Sequence, residues 1–253
     1  MNTKKRFHEK QGIHTAMKDY RTEFYTLYRS THVKPRKGDV TVRSHAAKFP
    51  YWSFLLGPHL PASKNAQIVD LGCGSGAIVA WLHHIGYKNA FGVDVSIEEV
   101  EVAHALGLPV HSVEINSFLA QHKSAFDFVI LRNVLEHFYK SEIIRLLKLT
   151  HQVLTDGGTI FIQVPNAESP FGSRIRYGDF THETAFTATS MCQLLRVCGY
   201  HDIVVGPVQP RILRGRRLLL WKLIERLYKC LLYAEIGPNK YIVTQDLYAI
   251  AHR

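Results

Sequence analysis

Seven residues, Asp70-Leu71-Gly72-Cys73-Gly74-Ser75-Gly76, constrain this chain more than any others. They follow the apolar run AQIVDL (66–71) and precede a helical pattern that continues through Ile85. Glycines at that density permit positive φ and let a ligand approach the backbone with no Cβ in the way. A dinucleotide loop reads G-x-G-x-x-G and cradles a pyrophosphate. Here the spacing is G-x-G-x-G, with a carboxylate two residues ahead. That carboxylate opposes a phosphate and suits a cationic, amine-bearing ligand.

Further strands are predicted at FGVDV (91–95), 110–114, 126–131, 158–164, 202–205 and 246–251. Helices are predicted from Ser96, whose hydroxyl is expected to cap, and over 141–154 and 187–198, opened by Ser141 and by Thr187 or Thr189. Gly157-Gly158 is expected to turn the helix before it into the fifth strand. Alternating β and α elements imply an α/β, Rossmann-like, mostly parallel sheet with helices on both faces. Such sheets bind ligands at strand carboxyl ends near the topological switch point. That gathers the glycine turn, the segment after Asp94 and the segment after Leu131 into one crevice. Asp94 can accept both hydroxyls of a ribose, and Val113-Glu114-Ile115 offers an apolar side chain to a base.

DLGCGSG, GVDVS, FDFVILRNVLEHF and LTDGGTIFIQVPN occur in order over about residues 66–165. Together they resemble the successive motifs of class I S-adenosylmethionine-dependent methyltransferases. The resemblance implies a seven-stranded sheet whose last strand is antiparallel, and S-adenosyl-L-methionine as cofactor. It places Asp70, Gly72 and Gly74 around the methionine moiety, Asp94 on the ribose and Ile115 near the adenine. Cys73, Val95 and Arg132, their neighbours in the same motifs, complete the candidate cofactor set, Cys73 as a small packing residue with no nucleophilic role. Glu136 and His137 are open between direct contacts and a capping acid with a structural histidine.

The segment from Pro165 through RIRYGDFTHETAFT (174–187) forms a loop of about 20 residues over the crevice mouth, a length that is usually functional. His182 is the candidate base for deprotonating a hydroxyl, with Asp179 or Glu183 to orient it and His137 as the competing base. No metal is required by this pattern, although Asp179, His182 and Glu183 could supply ligands. The DxTHExxFT stretch also resembles methyltransferases of bacterial surface-polysaccharide biosynthesis. That resemblance implies O-methylation of a sugar hydroxyl in an O-antigen, capsule or lipid-linked precursor. The alternatives are a quinol or other small hydroxylated acceptor, and a non-catalytic cofactor-binding scaffold. Nucleic acid is excluded at this stage: the D/N-P-P-Y/F element of adenine amino-methylation and the Pro-Cys nucleophile of cytosine methylation are both missing after the fourth strand.

The chain of 253 residues carries a net charge of +10, concentrated before Pro50 and over 211–229. An anionic partner or surface follows from that balance. Residues 1–60 read as an N-terminal helical cap or lid, and 61–253 as the methyltransferase domain with an inserted basic amphipathic helix at 212–233. On that helix Arg214, Arg217, Lys222, Glu225, Arg226 and Lys229 share one half, and Leu219, Leu220, Leu223, Ile224, Leu227 and Leu231 the other. Its apolar half is read either as lying on an anionic membrane or as packing on the domain or a second subunit. Met1 to Lys10 lacks the apolar stretch of a secretory signal, and Cys73, Cys192, Cys198 and Cys230 form no C-x-x-C pair. The expectation is a cytoplasmic protein with reduced thiols, peripheral on the inner membrane if the helix binds lipid.

Overall fold

In the computed structural model, which describes residues 19–27, 40–209, 215–238 and 240–253, the apolar run before the glycine turn is strand β1 (Ile68–Leu71), buried at every position. It is central: β1 pairs in parallel with β2 (Ala90–Asp94) on one side and β4 (Phe126–Arg132) on the other. β3 (Val110–Ser112) extends the sheet beyond β2, and β5 (Leu154–Pro165) lies beside β4. β7 (Asp246–His252) runs antiparallel between β5 and β6 (His201–Val208). The order β3-β2-β1-β4-β5-β7-β6 therefore turns back on itself between β1 and β4, and the crevice opens at their carboxyl ends. The seven-stranded, Rossmann-like sheet matches the sequence expectation.

The pleat of β1 and β4 sorts their side chains between two cores. Val69, Leu71, Val129 and Leu131 pack with α7 (Lys140–Val153) and α9 (Ala188–Val197), through Ile143, Leu146, Leu147, Met191 and Leu195. Ile68, Phe128 and Ile130 face the opposite side, where α3 (Phe49–Leu55) and α4 (Ala77–His84) supply Trp52, Leu55, Trp81 and Leu82. Helices thus cover both faces. Because Trp52, Leu55 and Leu56 belong to that second core, the last part of the segment expected as a 1–60 cap is structural. Of the rest, α1 (Tyr20–Thr26) and α2 (Val42–Ala46) are described, while residues 1–18 and 28–39 lie outside the described residues.

Several local expectations are corrected. Ser96 occupies the N-cap of α5 (Ile97–Ala105), but its hydroxyl makes no cap bond; its backbone N–H donates to Asp94 instead. α7 begins after Tyr139, whose N–H donates to the Glu142 carboxylate, so Glu142 rather than Ser141 secures its start. Thr187 does cap α9, in a reciprocal pair with Ser190. Gly157 and Gly158 do not turn helix into strand: the chain becomes extended at Leu154, and Gly157 (φ +75°) sits where the β4–β5 register slips. The 165–187 loop contains a short helix, α8 (Gly172–Arg176).

The basic amphipathic helix forms as α10 (Arg216–Ile236), and the expected first turn with Arg214 lies outside the described residues. None of its residues is buried. Leu219, Leu223 and Leu227 are each more than 60% exposed, so among the described residues this leucine face is left uncovered.

Candidate functional site

The crevice encloses about 930 Å³ and is lined by the strand-end residues together with α1 and α3. All eight candidate cofactor residues, Asp70, Gly72, Cys73, Gly74, Asp94, Val95, Ile115 and Arg132, line it. Gly72, Gly74 and Gly76 all have positive φ, which is why the turn is built from glycine. At Gly72 the requirement is doubled, since a Cβ there would stand 2.5 Å from Val134 Cγ2.

Asp94 does more than line the crevice. Its Oδ2 accepts from Gly74 N at 2.7 Å and its Oδ1 from Ser96 N at 2.8 Å, tying the glycine turn to the end of β2. A carboxylate has about four acceptor positions, so both oxygens keep capacity for a diol. Burial raises the Asp94 pKa, and these two N–H bonds oppose the rise. Asp70 is 2% exposed. Burial pushes its pKa up to about 7, with the Arg132 guanidinium pulling the other way. Arg132 in turn stacks over Trp52, 5.0 Å from the ring centroid. Ile115 opens α6 (Ile115–Leu119) behind Glu114, whose carboxylate caps Asn116 N and Ser117 N. Cys73 contributes backbone to the crevice, while its side chain packs with α5 residues Val100 and Ala103; burial holds its thiol pKa well above the ordinary range.

Asp70 Oδ1, Ser96 Oγ and Asn133 Oδ1 are buried with no hydrogen-bond partner among the described residues. Buried polar atoms are normally paired. A ligand carrying an ammonium and hydroxyls supplies partners of the kind these oxygens need, so the residues fit S-adenosylmethionine.

The acceptor side is arranged differently from expectation. His137 lines the crevice, whereas His182 and Asp179 line an adjoining second cavity of about 520 Å³, with Tyr20, Arg176, Tyr177, Phe180 and Glu183. The two histidine rings meet at the boundary, 4.7 Å apart between centroids. His182 Nδ1 donates to the Ile175 carbonyl at 3.0 Å, and its Nε2 lies 3.8 Å from Asp179 Oδ2. Asp179 Oδ1 accepts from the Thr181 hydroxyl at 2.7 Å, and Thr181 Oγ1 is 2.8 Å from His137 Nδ1. Glu136 is fully buried and its pKa is pushed up to about 8 by burial.

Sequence reasoning did not find three of the residues that hold this side together. Arg21 donates to both oxygens of Glu142 at 2.7 and 2.8 Å and to the His137 carbonyl at 3.2 Å, anchoring α1 across the crevice. Thr181 links His137 to Asp179. Tyr20 donates to Glu183. Apart from the neighbouring Asp179–Thr181 pair, the partners are separated by 44 to 163 residues, so no local pattern signals them.

The profile of a methyltransferase domain matches residues 47–204. A tRNA U34 carboxymethyltransferase of Shewanella amazonensis is 27% identical over 183 residues, covering 68% of this chain and 55% of the relative. The chain therefore spans little more than half the length of that relative. Among solved structures, an S-adenosylmethionine-dependent methyltransferase of Archaeoglobus fulgidus has a TM-score of 0.64 at 17% identity, covering 83% of this chain and 94% of that one. A chain from the complex between the Haloferax volcanii Trm112 methyltransferase activator and a methyltransferase gives 0.64 at 16%, covering 90% and 96%.

These matches overturn the partner expectation. A sugar or glycan acceptor with nucleic acid excluded does not stand beside relatives named for tRNA. The exclusion rested on motifs for adenine amino groups and cytosine carbons, which say nothing about chemistry at a uridine. Nor do the matches support the surface-polysaccharide resemblance. The class survives where the acceptor does not: the profile covers more than half of the sequence, including the ends of β1, β2 and β4 that shape the crevice, and the chain belongs to the methyltransferase domain family as an S-adenosylmethionine-dependent enzyme of Rossmann-like class I fold.

Proposed function

We propose that this methyltransferase modifies an RNA, of transfer-RNA type, received through the second cavity. The observation that carries the reading is the rim of that cavity, where Tyr177 and Phe180 are 79% and 76% exposed and Arg174 and Phe171 stand on the same segment. Exposed aromatics beside cations are the means by which proteins stack unpaired bases. The tRNA relatives and the net charge of +10 point the same way.

Asp70, ionised, would pair with the cofactor ammonium, and Asp94 would take the ribose hydroxyls. Val95 and Ile115 would flank the adenine, and Gly72, Cys73 and Gly74 would present backbone. Arg132 would meet the cofactor carboxylate. When bound, S-adenosylmethionine supplies a methyl group on a sulfonium, open to in-line attack. The residues of the chain then have to align a nucleophile and exclude water. α1, clamped by Arg21, acts as the cap, and His137, Asp179 and His182 form the wall against which the acceptor is placed.

Incubation with methyl-labelled S-adenosylmethionine and total tRNA tests the reading. Label entering tRNA, and reduced by Tyr177→Ala, is expected. No incorporation into tRNA, with the cofactor bound, sinks it.

α10 favours a second surface. Leu219, Leu220, Leu223, Leu227 and Leu231 are exposed on the same helix as Lys222, Arg226 and Lys229, and Trp221 and Tyr228 are half-buried at its border. Such a helix suits the interface of an anionic bilayer, with about 1 kcal/mol per basic residue near the surface. No described helix is long and apolar enough to cross a membrane. Co-sedimentation with anionic, and not neutral, vesicles is expected; no binding at low salt removes the proposal.

A further inference from the structure

We infer that Glu136, His137 and His182 form a site for one divalent transition-metal ion at the boundary between the cofactor crevice and the second cavity. Their ligand atoms all lie within 4.8 Å of one another. Two imidazoles and one carboxylate are a donor set suited to Zn²⁺, Mn²⁺ or Fe²⁺ rather than to Mg²⁺ or Ca²⁺, which take mostly oxygen.

The hydrogen bonds around the two histidines fix their tautomers in the sense a metal needs. Thr181 has a single hydroxyl proton and directs it to Asp179 Oδ1, so its oxygen is an acceptor toward His137 Nδ1. His137 therefore carries its proton on Nδ1, leaving Nε2 with a lone pair. The Ile175 carbonyl can only accept, which puts the His182 proton on Nδ1 as well. An imidazole whose N–H is held by a carbonyl or by a hydroxyl–carboxylate relay is the usual second layer of a metal site. Glu136 supplies the independent sign. It is completely buried, and neither carboxylate oxygen has a hydrogen-bond partner among the described residues. Buried polar atoms are normally paired, and a metal ion supplies the partner that these two oxygens lack. The second cavity gives the ion a route in, past Asp179 and His182.

An acid–base pair at His182 and Asp179 accounts for less. It leaves Glu136 unexplained, and it sets His182 in the second cavity while the cofactor residues line the crevice. A cation between the two cavities would instead face whatever acceptor reaches the crevice, and the inference holds whether or not that acceptor is RNA.

The test is equilibrium dialysis of the chelator-stripped full chain against Zn²⁺ or Mn²⁺, with the Co²⁺ absorption spectrum reporting the ligand set. One tightly bound equivalent is expected. Glu136→Gln and His182→Asn should each weaken it at least tenfold. Thr181→Val keeps all three ligands but releases the His137 ring, and should weaken binding by about 10–100-fold. S-adenosylhomocysteine affinity, unchanged in His182→Asn and Thr181→Val, shows that these variants are folded. No bound equivalent in the intact chain, or equal affinity in folded His182→Asn and Thr181→Val, overturns the assignment.

Discussion

The two sides of the crevice stand at the same strand ends but are held in place by different means. On the cofactor side, Gly72 N and Cys73 N both donate to Val93 O, and Gly74 N donates to Asp94, so strand, turn and next strand lock one another within 24 residues of chain. On the acceptor side, Glu183 N and Thr184 N donate to the Glu136 carbonyl, Thr181 meets His137, and Arg21 reaches Glu142 across 121 residues. The first side is a local device built from the glycine turn and the end of the next strand. The second exists only when α1, β4 and the 166–187 segment are already in place. The acceptor side can therefore change its residues while the cofactor side keeps its own.

Substitutions should separate the two sides. The largest effect is expected for Gly72→Ala, where positive φ and a Cβ 2.5 Å from Val134 combine. Strain of about 1–3 kcal/mol from the backbone alone, with the overlap added, should appear in chemical denaturation and in lost cofactor affinity. Full stability in that variant would break the claim that the turn is sterically determined.

A pH titration sharpens the electrostatic half of the comparison. Asp70 is raised from 3.8 to about 7, so between those values the folded chain keeps a proton that the unfolded chain has released. Its contribution to stability therefore declines as pH rises through that window. Pairing with a ligand ammonium needs the ionised form, so S-adenosylhomocysteine affinity should fall about tenfold per pH unit below 7, or about 1.4 kcal/mol. Asp70→Asn should bind weakly and flatten that dependence; an unchanged slope would point to another group.

Tyr177→Ala belongs to the acceptor side. It should raise the KM for tRNA by several-fold, about 1 kcal/mol, and leave S-adenosylhomocysteine affinity alone. An effect on cofactor affinity would merge the two sides. The smallest change is expected for Leu227→Ser on α10. With the side chain 62% exposed, stability should stay within about 0.5 kcal/mol in denaturant unfolding.

The same contrast explains what the sequence made legible. Asp70, Gly72, Gly74 and Asp94 were readable because their roles follow from a strand end, a positive φ and a fixed spacing. All seven strands were readable from apolar runs, and the antiparallel direction of β7 is what the family resemblance implied. The split of His137 and His182 between two cavities was not, because it depends on where a 22-residue segment folds back. Thr181 and Arg21 carry no signature, since a threonine or arginine in a polar stretch has many uses. α10 shows a further limit: periodicity predicted its amphipathic helix, but the pattern cannot say what covers the apolar face. The acceptor was misread for a related reason, because absent motifs exclude only the reactions to which those motifs belong.

The most direct test of the account is calorimetric titration of the intact chain and of Asp94→Ala with S-adenosylhomocysteine. Asp94 holds the turn and lines the crevice, so one-to-one binding by the intact chain and at least a hundredfold weaker binding by the variant are predicted. Equal binding by the two would remove Asp94 from the site, and no binding by the intact chain would contradict the cofactor assignment.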